Sequence, residues 1–187
     1  MSLSTDIREK LERVDLRRIG QTGIGQAAVL MAISMPAGTP HFVLTRRTET
    51  VATHKGQISF PGGVREPGDT SLIETALRET REEIGVPAET VEVLGEFHDY
   101  RAVTGFVVRP VVGLIRGPAR FVPFEPEVAY VLEVPLSFFR DAEPVVRERL
   151  VLGEPAKVYY YDYRGENIWG LTARMIRDFV TAVALEV

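Results

Sequence analysis

Three carboxylates, Glu79, Glu82 and Glu83, fall within five residues of the stretch Arg78-Glu79-Thr80-Arg81-Glu82-Glu83-Ile84-Gly85-Val86. On a helix that advances about 100° per residue, Glu82 lies about 60° to one side of Glu79 and Glu83 about 40° to the other. Ile73, Leu77 and Ile84 gather roughly 120–160° away. Such a helix buries an aliphatic stripe and presents three acids together from another face. Glu79 and Glu83 stand four apart, a spacing at which like charges destabilise an isolated helix by a few tenths of a kcal/mol. A hard divalent cation such as Mg²⁺ or Mn²⁺ removes that conflict, because both favour carboxylate oxygens and retain several waters. Without such a ligand, the same pattern describes a solvated helix face on which Arg78 and Arg81 answer the glutamates.

The residues upstream bear on that choice. A strand-like run, Gln57 to Phe60, meets Pro61 and the pair Gly62-Gly63, followed by a polar loop to Asp69-Thr70. Glycines let a ligand come close to bare backbone. Asp69 or Thr70 is suited to cap a helix starting at Leu72, with Glu74 supporting its first turn. The order is strand, glycine turn, polar loop, then a helix carrying acids. A Gly-Gly pair alone means no more than a turn.

The whole segment resembles the Nudix box, the loop–helix motif of enzymes that hydrolyse nucleoside diphosphates linked to another moiety. The second half of that motif matches as Arg78-Glu79, Glu82-Glu83, Gly85 and Val86. Gly63 to Arg78 is one residue longer than the family pattern, so the upstream acid is Asp69 counted forwards, while counting backwards reaches Thr70. Thr80 stands where the pattern has an aliphatic residue. Further upstream, Val43-Leu44-Thr45-Arg46-Arg47-Thr48 and Gly56-Gln57-Ile58-Ser59-Phe60-Pro61-Gly62-Gly63 resemble the extra motif of the coenzyme A pyrophosphatase subgroup. Thr48 replaces that motif's serine and Ala52 its arginine, with His54 and Lys55 as nearby cationic candidates. Glu127 and the run Ile168-Trp169-Gly170-Leu171-Thr172-Ala173-Arg174 also look like the subgroup.

The resemblance implies a mixed sheet flanked by helices, an α+β fold of the α/β/α sandwich kind. It also implies Mg²⁺- or Mn²⁺-dependent hydrolysis of a P–O–P linkage. Coenzyme A or an acyl derivative would then give 3′,5′-ADP and 4′-phosphopantetheine. Glu79 and Glu83 are the expected principal metal ligands, with Glu82 a third ligand or proton acceptor. Arg46, Arg47, Lys55, Gly62 and Gly63 are the expected substrate-binding positions, and Arg78 is expected to orient the glutamates. ADP-ribose or another nucleoside diphosphate derivative is the alternative substrate. A Nudix-shaped ligand sensor without turnover is a further alternative, against which the three glutamates argue.

Composition narrows the field. A chain of 187 residues fits one domain, residues 1–187, with a substantial core. A formal charge of −4 argues against general nucleic-acid affinity while leaving room for a small anionic ligand. The absence of cysteine excludes disulfides and thiol chemistry and fits a reducing cytoplasm. The apolar run Ala27 to Met35 is too short to span a bilayer, and the N-terminus is charged rather than leader-like. The expected partner is a small nucleotide diphosphate, without nucleic acid or membrane, and a homodimer is left open.

Among the elements that must position the site, Asp6–Val14 reads as an amphipathic helix, and Ala27–Ser34 and Phe42–Arg46 as strands around a Pro36-Ala37-Gly38 turn. Neighbours on a strand face opposite sides, so at most one of Arg46 and Arg47 points into a given site. Val91–Tyr100, Gly105–Ile115 and Val128–Val134 are further strands, and Val145–Leu152 with Val158–Tyr163 suggests a hairpin. The IWGLTAR run is expected to open a C-terminal helix through Leu185, with Trp169 as a core anchor.

Overall fold

The computed structural model describes residues 2–20, 25–50 and 54–183. Ala52 and Leu185, both singled out above, lie outside them. In chain order the elements are α1 (Leu3–Glu12), β1 (Gln26–Ser34), β2 (His41–Arg47), β3 (Ile58–Ser59), β4 (Gly62–Val64) and α2 (Leu72–Ile84). There follow β5 (Val91–Glu96), β6 (Tyr100–Arg101), β7 (Val107–Ile115), β8 (Val128–Pro135) and the short α3 (Leu136–Asp141). A hairpin and one more strand, β9 (Val145–Val151), β10 (Glu154–Tyr163) and β11 (Glu166–Trp169), lead into α4 (Gly170–Val183).

The layers follow from the two-residue period of a strand. Along β1, Ala27, Met31 and Ile33 join one hydrophobic cluster, while the interleaved Ala28, Leu30 and Ala32 join another. A strand buried on both faces reads as a continuous apolar run, as β1 does. On one side the cluster includes Leu72, Ala76 and Ile84 of α2. On the other it includes Ile7 and Leu11 of α1, Leu136 and Phe139 of α3, and Ala173, Ile176 and Phe179 of α4. The result is an α+β fold, a mixed sheet between helices.

The large sheet runs β3-β2-β1-β7-β5, with β8 also on β2, β4 on β1 and β6 on β7. β1 runs parallel to β7 from Gln26 to Ile33, but pairs with β2 only at Ile33 and Ser34. At its other end, β1 pairs with β4, placing Ala28 opposite Gly63 and Val29 opposite Gly62. The two central strands therefore diverge, and the glycine segment fills the fork. Only glycine fits there: a Cβ on Gly62 would lie 2.3 Å from the Ala28 carbonyl oxygen and 2.5 Å from the Val29 Cα.

A separate antiparallel sheet of order β11-β10-β9 packs against α4 through β10. Its third strand changes the reading of the C-terminal segment. Ile168 and Trp169 pair with Tyr161 and Tyr160, so α4 begins at Gly170 rather than at Ile168. Gly170 itself turns the chain with a φ of +66°. Trp169 is not a core anchor: 38% exposed, its ring stacks on Tyr160 with centroids 5.8 Å apart. The fully buried residue of the pair is Ile168. Among the described residues, no helix is long and apolar enough to cross a membrane.

Candidate active site

The acidic helix is fixed at both ends by local chemistry. Its N-cap is Ser71, not Asp69 or Thr70. The Ser71 Oγ accepts the Glu74 N–H at 3.1 Å, and Glu74 Oε2 accepts from the Thr70 N–H at 2.7 Å and its hydroxyl at 2.6 Å. At the C-terminus Gly85 adopts the left-handed conformation, φ +71°, and donates to the Arg81 carbonyl at 2.9 Å. Thr80, where an aliphatic residue was expected, is fully buried, but its hydroxyl donates to the Ala76 carbonyl at 2.7 Å. That bond removes most of the cost of burying a hydroxyl.

Asp69 turns inward. It accepts Arg78 Nε on Oδ1 and Arg78 Nη2 on Oδ2, each at 3.0 Å. It also takes the Glu66 N–H at 2.9 Å and the Thr75 hydroxyl at 2.8 Å. The Arg78 hydrogen bonds, first among these causes, hold the carboxyl well below the usual carboxylate range. The acid counted forwards from Gly63 is therefore the one that engages Arg78. Arg78 uses its remaining donors on Glu79 Oε1 at 2.9 Å, Glu82 Oε2 at 3.0 Å and the Val64 carbonyl at 3.1 Å. It orients two of the three glutamates, and Glu82 remains half exposed.

Glu83 has a different environment. It is 5% exposed, and the nearest cation, Arg47 Nη1, stands 3.6 Å from its Oε1. Neither Glu83 Oε2 nor Arg47 Nε, both buried, has a hydrogen-bond partner among the described residues. Burial pushes the Glu83 carboxyl up to about 8, with Arg47 pulling down and Glu79 adding to the rise. Glu79 is also raised, first by burial, with Arg78 opposing and Glu82 and Glu127 adding. A Cβ on Gly63 would lie 2.5 Å from Glu79 Cδ and Oε1, so the bare backbone there makes room for this carboxylate.

The two arginines of β2 part company, as strand alternation requires. Arg47 reaches Glu83 and, at 3.8 Å, Glu127 Oε2. Arg46 instead pairs with Glu166 at 3.0 Å and sits over the Tyr130 ring at 5.9 Å, while Tyr130 donates its hydroxyl to Glu166. Tyr130 and Glu166 were not singled out in the sequence, where nothing marks two residues so distant from Arg46. Lys55 is exposed on the turn before Gly56, without an ion pair to any described residue. Glu127 is half exposed, and its carbonyl accepts the Thr48 N–H at 2.9 Å.

Glu79, Glu83, Arg47 and the two glycines thus share one corner, where α2 meets the fork of the sheet. Among the described residues, no three acidic or histidine side chains already converge as a closed metal cage. The donor set nevertheless suits a hard cation: two carboxylates raised by burial, one with an oxygen that no described residue satisfies.

The sequence profile of the NUDIX domain matches residues 25–142, which span the whole corner. The chain belongs to the Nudix family. One similar protein, from Pectobacterium atrosepticum, is named as an uncharacterized Nudix hydrolase, NudL. It is 42% identical over 162 residues, covering 85% of this chain and 83% of the relative. A NudL of the same description from Photorhabdus laumondii is 37% identical over 171 residues, 89% of each chain. Among solved structures, the NUDIX domain of Shewanella oneidensis NrtR, crystallised with ADP ribose, superposes with a TM-score of 0.50. At 18% identity, over 76% of this chain and 89% of that one, this Nudix neighbour attests a shared fold.

Proposed function

We propose that this Nudix protein is a divalent-metal-dependent pyrophosphohydrolase whose substrate is coenzyme A or an acyl derivative. Residues 1–187 act as one domain in this reading. The carrying observation is the Glu83 carboxylate, buried beside Arg47 with one oxygen unsatisfied, at the point where Gly62-Gly63 leave the backbone bare. A purely structural acid in that position costs stability with no return.

Glu79 and Glu83 would hold Mg²⁺ or Mn²⁺, with Glu82 as third ligand or proton acceptor at the exposed edge. The ion, when bound, neutralises phosphoryl oxygens and lowers the pKa of water. Arg47, 3.6 Å from Glu83 Oε1, holds positive charge behind that carboxylate and aims it. Arg78 holds Glu79 and Glu82 in place through Nη1. The Gly62 N–H is directed at Glu83, and the bare Gly62-Gly63 backbone, which has no room for a Cβ against Val29 or Glu79, lets the diphosphate approach. One water adds to one phosphorus, the bridging oxygen leaves on the other phosphate, and a carboxylate takes the proton released by the water. With coenzyme A the products are 3′,5′-ADP and 4′-phosphopantetheine. Support for this substrate comes from the match of residues 43–63 to the subgroup motif. Ala52 is its main departure, and the exposed Lys55 is a nearby source of positive charge.

Product analysis across coenzyme A, acetyl-coenzyme A and ADP-ribose, with Mg²⁺ or Mn²⁺ in heavy-oxygen water, tests the reading. Coenzyme A compounds should be cleaved most efficiently, with label on one phosphate product. Preference for ADP-ribose rejects the substrate while keeping the chemistry. Absence of turnover on all three, with binding retained, points to a sensor.

A further inference from the structure

The layer opposite α2 carries a concentration of positive charge that the catalytic corner does not use. A hollow of about 340 Å³ opens between α4 and β10, lined by Arg17, Lys157, Tyr159, Arg174, Arg177 and Asp178. A second hollow of about 380 Å³ adjoins it, sharing Lys157, Tyr159 and Arg177, with Glu143 on its wall. Both volumes fall in the range of small-ligand sites, about 300–1,000 Å³. In a chain of net charge −4, four cations around one small opening are not a consequence of composition.

Their charge is poorly answered from within. Asp178 alone meets three guanidiniums, Arg17 at 3.4 Å, Arg177 at 3.6 Å and Arg174 at 3.8 Å, and its Oδ2 also accepts the Tyr100 hydroxyl at 3.1 Å. Contacts that long are weak hydrogen bonds at best. The Lys157 ammonium makes no ion pair or hydrogen bond with any described residue, not even with the carboxylate of Glu148, its neighbour across β9 and β10. Two of the guanidiniums are held over aromatic rings instead, Arg177 over Tyr159 at 4.7 Å and Arg174 over Tyr100 at 5.9 Å. Stacking fixes the planes of these forks while leaving their N–H edges available to an oxyanion.

We propose that this hollow is a second anion site, which takes a small organic phosphate with its phosphate group among Arg17, Lys157, Arg174 and Arg177. The forks match phosphate oxygens in pairs, and the ammonium of Lys157 supplies a point charge. Tyr159, common to both hollows, gives the organic part a ring edge to lie against. The site is on the far side of the sheet from Glu79 and Glu83, since α4 and α2 pack on opposite faces. It therefore binds independently of metal and does not depend on the assignment of the substrate. Because the cations are partly exposed, added salt weakens the interaction.

The test is calorimetric titration with inorganic pyrophosphate, without divalent metal, of the full chain and three variants. The parent should bind with a Kd below about 1 mM. Lys157→Glu should weaken binding by about tenfold or more, while Lys157→Arg and the catalytic-corner variant Arg47→Gln should retain it. Unchanged circular dichroism and metal-dependent turnover show that Lys157→Glu is folded. No binding to the parent overturns the proposal, as does equal binding to Lys157→Glu or its loss in Arg47→Gln. Vesicles of phosphatidylcholine with phosphatidic acid separate the other source of phosphate. They should not sediment the protein, and sedimentation that pyrophosphate fails to reverse makes this a lipid surface and overturns the small-molecule site.

Discussion

Arg78 and Glu83 stand five residues apart on α2, both shielded from solvent, yet their charges are handled in opposite ways. Around Arg78 each donor has an acceptor: Asp69 takes two, and Glu79, Glu82 and the Val64 carbonyl take the rest. Around Glu83 a carboxylate oxygen and a guanidinium nitrogen are left buried without partners among the described residues. The first arrangement is complete as it stands and ties the loop after β4 to the helix. The second is incomplete, and a buried unsatisfied group costs about 1–3 kcal/mol. Structure is secured by the satisfied cluster, and the unsatisfied one is where a ligand gains most.

This contrast makes mutations at neighbouring positions behave differently. Arg78→Met should be the most damaging to stability, by about 3 kcal/mol, because it strands Asp69 inside the loop. Urea denaturation would measure that loss, and a change under about 1 kcal/mol would mean that the cluster is dispensable. Gly63→Ala should lower turnover by about tenfold, equivalent to about 1.4 kcal/mol, by pushing the Glu79 carboxylate aside. Its melting temperature should change little, since the obstructing atoms are the end of a flexible side chain. An active Gly63→Ala enzyme would show that Glu79 does not need this position.

Acidification discriminates the clusters by sign. Asp69 has its folded pKa depressed, chiefly by Arg78, so its contribution is fully present above its unfolded value near 3.8. It is lost as pH falls below that value toward the lower folded pKa. Thermal melts from pH 6 down to about pH 2 should therefore show a steeper decline in the parent than in Asp69→Asn. Parallel curves would remove Asp69 from the stabilising cluster. The smallest effect belongs to Glu127→Gln, whose half-exposed carboxylate is 3.8 Å from Arg47. Stability should move by less than about 0.5 kcal/mol in chemical denaturation. A larger change would mean that Arg47 relies on Glu127 more than their separation implies.

Much of this arrangement was legible before folding. Angular spacing placed the three glutamates on one side of α2, and strand alternation separated Arg46 from Arg47. The cap was missed because Asp69, Thr70 and Ser71 are all competent caps in sequence. The choice was tertiary, since Arg78 claims the Asp69 side chain and leaves Ser71 to bind the Glu74 N–H. The start of α4 was placed too early because Ile168-Trp169 suits a helix as well as a strand, and only the pairing with β10 decides. Glu166 and Tyr130 carried no local signal at all. Arg46 meets Tyr130 as its cross-strand partner on β8, and meets Glu166 because the sheet of β11 comes up beside β3, long-range facts that periodicity does not encode.

The central claim is that α2 keeps Glu79 and Glu83 poised for a divalent ion that faces a diphosphate. Titration of Mn²⁺ into the substrate-free protein, followed by calorimetry and melting temperature, tests this most directly. The parent should bind and gain thermal stability at millimolar metal, while Glu83→Gln should melt no lower than the parent without metal and show neither response. Equal binding by Glu83→Gln, or no binding by the parent, would contradict the account.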